Sequence, residues 1–180
     1  MKKIMFIAAS VICLSGTCMA AAEMKDGTAT VVTDSSSKGD REFVMKASMG
    51  GMMEVDMGRL GVSNGSSQAV RDFGQRMIDD HSKANQELEA LAHSKGITPD
   101  AMSGKDSQKD MDKLRDKKGA DFDKAYMHMM VEDHKKDIDL FQKEADKGDD
   151  PELRSWANAK LPTLRDHLRM AQDIENGLKK

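Results

Sequence analysis

Tyr126-Met127-His128-Met129-Met130-Val131-Glu132-Asp133-His134-Lys135-Lys136 is the stretch on which the fold depends. Tyr126, Met130 and His134 stand four apart, so they drift only about 40° per step around a helix axis and share one side of it. Fifty-three residues earlier the same column occurs as Phe73, Met77 and His81, and Asp80 precedes His81 as Asp133 precedes His134. A third pair, Asp166-His167, follows near the C-terminus. Each histidine is expected to face a core, and the functional question is whether the three meet at a metal or only pack.

Working outward, the periodicity continues. Phe122, Tyr126, Met129, Met130, His134, Ile138 and Phe141 form one arc of a helix predicted over Ala120–Lys147 and stopped by Gly148. Asp150-Pro151-Glu152 opens the next helix. An aspartate can cap it, proline lacks an N–H that the first position does not use, and an acid suits the positive end of the helix dipole. The inward arc of that helix is Leu153, Ala157, Leu161, Leu164, His167, Leu168 and Ala171, with Pro162 expected to kink it. Upstream, Ser66 or Ser67 caps a helix to about Lys95, its apolar arc being Val70, Phe73, Met77, Ala84, Leu88 and Leu91, with His81 at mid-length. Gly96 ends it in the left-handed conformation, before Ile97 and Thr98-Pro99. Residues Asp100–Asp106 connect, and Ser107–Lys118 reads as a short charged helix with Met111 and Leu114 as apolar contacts, with a bend at Gly119.

A first helix opens at Gly39-Asp40, with Asp40 placed to cap its start. Phe43, Ala47, Gly50, Gly51, Glu54, Gly58 and Gly61 fall on one arc. Glycine in a helix costs about 1 kcal/mol relative to alanine, so this series implies close approach of a neighbouring helix. The mature chain shows no alternating strand pattern. The predicted architecture is an all-α four-helix bundle, residues 39–178, with a short extra helix between helices 2 and 3.

Residues 1–20 read as a secretion signal: Lys2 and Lys3 at the start, the apolar run Ile4–Leu14, and Cys18-Met19-Ala20 before the cut. Both cysteines lie in that segment, so no disulfide is expected in the mature chain. Thr17 and Ser15 do not match what a lipid-anchored cysteine requires around Cys18. Residues 21–38, rich in Ser and Thr, read as a flexible leader. The 28 Lys and Arg fall to 26 without Lys2 and Lys3, against 31 acidic residues, and the formal charge moves from −3 to −5. That balance argues against nucleic acid as partner. No later segment is apolar enough to span a bilayer, so the expected location is periplasmic or otherwise exported.

Three predicted helices thus each carry one histidine on the buried arc, His81, His134 and His167, and the first helix adds Glu54. Imidazole is a common transition-metal ligand, and three with one carboxylate suit zinc, copper, iron or manganese without selecting among them. The alternative is a set of hydrogen-bonded core histidines that hold structure or sense pH. Asp80, Asp133 and Asp166 point about 100° away from the histidines they precede, so they could serve only across helices. Asp133 and Asp137 also fall inward, as part of a larger carboxylate site or of a polar network. His93 and His128 lie off the arcs and read as solvated.

Methionine is abundant, at 16 residues. Met45, Met49, Met53 and Met57 make a stripe at spacing four with Met52 beside it, roughly opposite Glu54. Thioether sulfur suits Cu(I), while flexible core packing and an oligomer or partner surface are the other readings. No phosphate loop, serine elbow or nucleophilic cysteine stands in the mature chain, so hydrolase and transferase chemistry find no support. An oxidoreductase using the histidine site lacks a second metal site or cofactor motif.

Taken together, several stretches resemble the exported bacterial family designated domain of unknown function 4142. They are Phe43–Leu60 with Gly50-Gly51-Met52, Glu54-Val55 and Gly58; Met77-Ile78-Asp79-Asp80-His81 with Asn85 and Leu88; Phe122-Asp123 with Tyr126, Met130 and His134; and Leu161-Pro162 with Leu164 and His167. The resemblance implies a ferritin-like four-helix fold and export, and no activity. Its pattern matches Glu54, His81, His134 and His167. The paired Glu-x-x-His motifs of di-iron ferritins are missing, which argues against ferroxidase chemistry. The leading expectation is an exported bundle that binds one transition-metal ion for metal handling or envelope stress tolerance. Its rival is a structural or interaction module with an envelope partner or a second copy.

Overall fold

The computed structural model of the chain describes residues 36–98 and 111–179. The signal segment, nearly all of the leader and the 100–106 connection lie outside the described residues. Four long helices carry the fold: α1 (Lys38–Asn64), α2 (Gln68–Ser94), α4 (Gly119–Lys147) and α5 (Pro151–Gly177). A short segment, α3, is helical over residues 111–115 and lies between α2 and α4. No strand occurs among the described residues. The chain is a ferritin-like four-helix bundle, and no described helix is long and apolar enough to cross a membrane.

Local chemistry sets the helix ends. The Ser67 hydroxyl accepts from the Val70 N–H at 3.3 Å, and Asp150 accepts from the N–H groups of Glu152 and Leu153, with Pro151 in the first turn. Gly96 takes φ 70° after α2, as expected of its closing glycine. Gly119, expected as a bend, has φ 55° and is also the first residue of α4. α5 continues through the exposed Pro162 to Gly177. Asp40 departs from its expected role. Ser37 caps α1, its hydroxyl accepting from the Asp40 N–H at 3.1 Å. The Asp40 carboxylate instead reaches across the bundle and accepts from the N–H groups of Asp149 and Asp150. It is placed two residues inside the helix, where its side chain can turn away from its own first turn toward the neighbouring one.

Asp123 does the same at the opposite pole. Its carboxylate accepts from the backbone N–H groups of Ser66 and Ser67 at 2.8 Å each and from the Ser66 hydroxyl at 2.7 Å. Burial alone would raise its pKa, but these donors hold it below the usual aspartate value. Thus the first helix of each hairpin staples the turn of the other. One constant shift in residue number takes Asp40 to Asp123, Gly65 to Gly148 and Ser67 to Asp150, so the hairpins α1–α2 and α4–α5 occupy equivalent places. The start of α2 therefore lies beside the start of α4, and these two helices run the same way, which only a long crossover between them permits.

The core divides in two. Phe43, Val44, Leu88, Phe141, Leu153 and Leu161 belong to one apolar cluster, and Phe43 meets Phe141 edge-on with centroids 5.3 Å apart. Met57, Val70, Phe73, Met77, Phe122 and Tyr126 belong to the other. Between them, in sequence order along every long helix, come the buried polar residues Glu54, His81, Asp133, His134 and His167. Met127, Val131 and Glu144 are buried as well, although the sequence column does not include them.

The glycine series is explained by helix contact. A Cβ at Gly58 would lie 2.7 Å from the Gly74 carbonyl oxygen, and one at Gly74 would lie 2.7 Å from that of Gly58. The backbones of α1 and α2 therefore touch here. Gly61 leaves room for the Tyr126 ring, which a Cβ would approach to 2.7 Å. Gly50 has no such neighbour. The methionine stripe also splits: Met57 is fully buried, Met53 packs partly against the second core, and Met49 and Met52 are exposed. Met57 stands three residues after Glu54 and shares its side of the helix, so the stripe is not one surface opposite Glu54.

Replacing Gly58 by alanine should destabilise the protein by about 1–3 kcal/mol, although alanine is the better helix former, because the clash is with backbone. Urea denaturation of Gly58→Ala and of Gly50→Ala checks this, and the Gly50 variant should be neutral or stabilised.

Candidate metal centre

His81 on α2, His134 on α4 and His167 on α5 meet between the two apolar cores. One ring nitrogen from each lies within 4.8 Å of the others, and all three residues are buried. Ring centroids are 5.4 Å apart for His81–His167 and for His134–His167, and 5.8 Å for His81–His134. The aromatic–Met–His columns explain this convergence. α2 and α4 run the same way on opposite sides of the core, so corresponding residues of the two columns meet across it at one height, and α5 brings His167 to the same layer.

Hydrogen bonds orient two of the rings. His134 Nδ1 lies 2.9 Å from the Met130 carbonyl oxygen one turn earlier in its own helix. A carbonyl only accepts, so the proton is on Nδ1 and the lone pair on Nε2. His167 Nε2 lies 2.9 Å from Asp80 Oδ2, which places the lone pair of the neutral ring on Nδ1. Arg76 binds the same Asp80 oxygen from one turn away. Burial pulls the Asp80 pKa up, but Arg76 and His167 together hold it below the ordinary value. Among the buried side-chain atoms without a hydrogen-bond partner are His81 Nε2, His134 Nε2 and His167 Nδ1. Three orphaned nitrogens of three neighbouring imidazoles are a donor set that suits a cation.

The rings are neutral. Desolvation lowers the pKa of each, and for His81, where the two other histidines add repulsion, it is pushed down to about 3. Neutral imidazole is the form that ligates metal. Shared tetrahedral coordination at about 2.0–2.1 Å would put ligand nitrogens about 3.4 Å apart, so a bound ion would draw the rings together by rotamer adjustment.

Glu54 lies behind this group rather than within it. Its Oε1 is 3.6 Å from His134 Nδ1, the nitrogen already turned to Met130, and neither carboxyl oxygen has a hydrogen-bond partner. Burial first, and the Asp133 charge second, raise its pKa to about 8, so it is a neutral acid at pH 7. Of the three aspartates that precede histidines, Asp80 alone bonds a histidine on another helix. Asp133 pairs with Lys136 and the exposed Asp166 with Arg169, each on its own helix. Asp137 is half-buried with its pKa pushed up to about 7, chiefly by desolvation and then by the Glu54 charge. His93 and His128 are exposed, and His128 meets Glu175.

Two supporting groups escape a reading of the histidines alone. The Met130 carbonyl is backbone and has no side-chain signature. Arg76 is legible, standing four before Asp80, but its meaning depends on Asp80 reaching α5.

Glu54→Gln should match the wild type most closely near pH 4 in metal-free protein and should gain on it steadily as pH rises toward about 8. A carboxyl whose pKa is raised on folding contributes stability that is full below about 4.3 and is lost as pH climbs through about 8. Melting temperatures of both proteins at pH 6 and pH 9 check the sign, and a constant difference would refute it.

A family model described as Domain of unknown function (DUF4142) matches residues 26–174. Among solved structures, the crystal structure of a DUF305 fragment from Deinococcus radiodurans superposes with a TM-score of 0.69 at 13% identity, over 78% of this chain and 97% of that one. At that identity the likeness shows the fold alone. No curated protein matches this chain. Over residues 26–174, including all three histidines, the chain belongs to the family of domains of unknown function DUF4142.

Proposed function

We propose that this protein is an exported bundle that binds one transition-metal ion through His81, His134 and His167, and that it serves metal handling or envelope stress tolerance. The carrying observation is that three neutral imidazoles from three helices converge with three unpartnered nitrogens, two of them in fixed tautomers. An isolated core histidine satisfies its ring with protein hydrogen bonds. Three that each leave one nitrogen bare, in a layer sealed by apolar cores, are better explained by a cation they share. Nitrogen-only donors suit zinc, copper and iron better than manganese, which prefers oxygen ligands, and titration chooses among them. Glu54 acts in this reading as a neutral neighbour of His134, able to ionise and offset charge when a cation arrives, rather than as a ligand.

Export rests on the N-terminal segment with its two lysines, apolar run and Ala20 exit. Catalysis forms no part of the proposal.

Mature protein stripped of metal and titrated with zinc, copper, iron and manganese should bind one ion per chain. His134→Ala should weaken binding by about 100-fold or more, and Asp80→Asn, which frees His167 to rotate, by about 10-fold. Metal binding that ignores His134 would sink the reading. The depressed histidine pKa values favour a second reading, a pH-responsive structural module. A base whose pKa falls on folding contributes stability that is full above its unfolded pKa of about 6.5 and is lost as pH drops toward the folded value, about 3 for His81. Melting that is indifferent to chelator and zinc yet falls steeply from pH 7 to pH 5 would select that module.

A further inference from the structure

The two poles of the bundle are built alike but finished with different chemistry. At one, the Asp123 carboxylate accepts from the N–H groups of Ser66 and Ser67 and, as a third donor, from the Ser66 hydroxyl. At the other, Asp40 Oδ1 accepts from the Asp149 N–H at 2.9 Å and Oδ2 from the Asp150 N–H at 3.1 Å. Asp149 stands there in the place of Ser66 and has no hydroxyl to give. The third partner is instead the carboxyl of Glu144 on α4, which hydrogen-bonds Asp40. The shift in residue number that relates the hairpins takes Gly61 to Glu144, so the Asp123 pole has a glycine and the Tyr126 ring where this pole has a second acid.

Two carboxyls can bond each other only while one of them holds a proton. Both Asp40 oxygens already accept from backbone N–H groups, so the proton is on Glu144. The two residues are buried, at 1% and 6% exposure, and Glu144 Oε1 has no hydrogen-bond partner. Gly148 makes room for that oxygen, since a Cβ there would lie 2.4 Å from it. Ionised, Glu144 would set an unpaired carboxylate against that of Asp40 in a desolvated place. The surrounding charges give little relief. Asp149 and Asp150 of the turn are acidic, and Lys95, just after α2, is held by Asp150 and Glu152. On α1, Lys46 is paired with Glu42, and Lys143 and Lys147 of α4 are exposed. Arg154 of α5 donates to the Gly148 carbonyl.

We propose that Asp40 and Glu144 form a proton-operated latch: with the shared proton in place α1 holds the α4–α5 turn, and loss of that proton releases the turn locally while the Asp123 pole stays closed. The Ser66 hydroxyl keeps its proton throughout the range in which Glu144 gives one up. Desolvation first, and the Asp40 charge second, push the Glu144 pKa up to about 7. An acid whose pKa rises on folding adds stability that is full below its ordinary value of 4.5 and is lost as pH climbs through about 7. The histidine layer has the opposite sign, losing stability as pH falls, so the two responses are separable.

Hydrogen exchange of metal-free mature protein at pH 6 and pH 8 reads the latch at the Asp149 and Asp150 amides. Those of Ser66 and Ser67 are the internal reference for opening of the whole bundle. Protection of the first pair relative to the second should fall about tenfold between the two pH values, the change that a pKa of about 7 requires. In Glu144→Gln, whose side-chain amide offers Asp40 a donor at every pH, the ratio should stay within about twofold. The carboxyl carbon resonance of Glu144 should titrate near pH 7, and it reads the same proton in unmutated protein should Glu144→Gln melt unlike the wild type. A wild-type ratio that ignores pH, a fall that survives in Glu144→Gln, or a Glu144 midpoint near the ordinary 4.5 overturns the proposal.

Discussion

Two apolar cores desolvate the middle layer of this bundle from both ends, and the ionisable groups buried between them have to be neutral, hydrogen-bonded or paired with charge. Desolvation is the leading cause of the pKa shift at His81, His134, His167, Glu54 and Asp137 alike. It makes the imidazoles into ligands rather than cations, and keeps Glu54 an acid rather than a carboxylate. The same layer in contact with solvent would hold three partly protonated histidines that repel both one another and any metal.

That layer can exist only because the backbone frame is held from elsewhere. Asp40 and Asp123, at opposite poles, each carry a buried carboxylate across to the turn of the other hairpin. The shift in residue number that relates them also takes Glu54 to Asp137, the two carboxyls whose pKa values rise most in the central layer. It takes Gly51 to His134, however, and Ala84 to His167. The frame is close to two-fold, and the histidine site is where the two halves differ. Where one hairpin carries His134 and His167, the other carries Gly51, whose missing Cβ makes room for the Asn85 amide, and Ala84.

The helices were largely legible because their signals are local. Hydrophobic period, Ser67, Asp150-Pro151 and Gly96 act within one turn of themselves, and the structure places the helix ends within a residue or two of those marks. Close approach along α1 was readable at Gly58 and Gly61, since repeated helical glycine is unfavourable without a contact to offset it. Asp40 was misread for the same reason that others were read well. An acid near a helix start can cap that helix or a neighbour, and sequence alone does not distinguish the two. The methionine spacing was real, yet four residues per step drifts around the helix, so Met57 enters the core while Met49 faces solvent.

By itself the sequence determined that the protein is helical, that three histidines lie on buried arcs and that their neighbouring aspartates point elsewhere, because each follows from angles along a single helix. Only the tertiary structure decided that the three rings converge, that Asp80 holds His167, that the Met130 carbonyl leaves the His134 lone pair on Nε2, and that Glu54 stands beside the cluster at His134 Nδ1. These are relations between helices, fixed by where α2 and α4 run parallel and how closely α1 approaches, and no periodicity within one helix carries that distance.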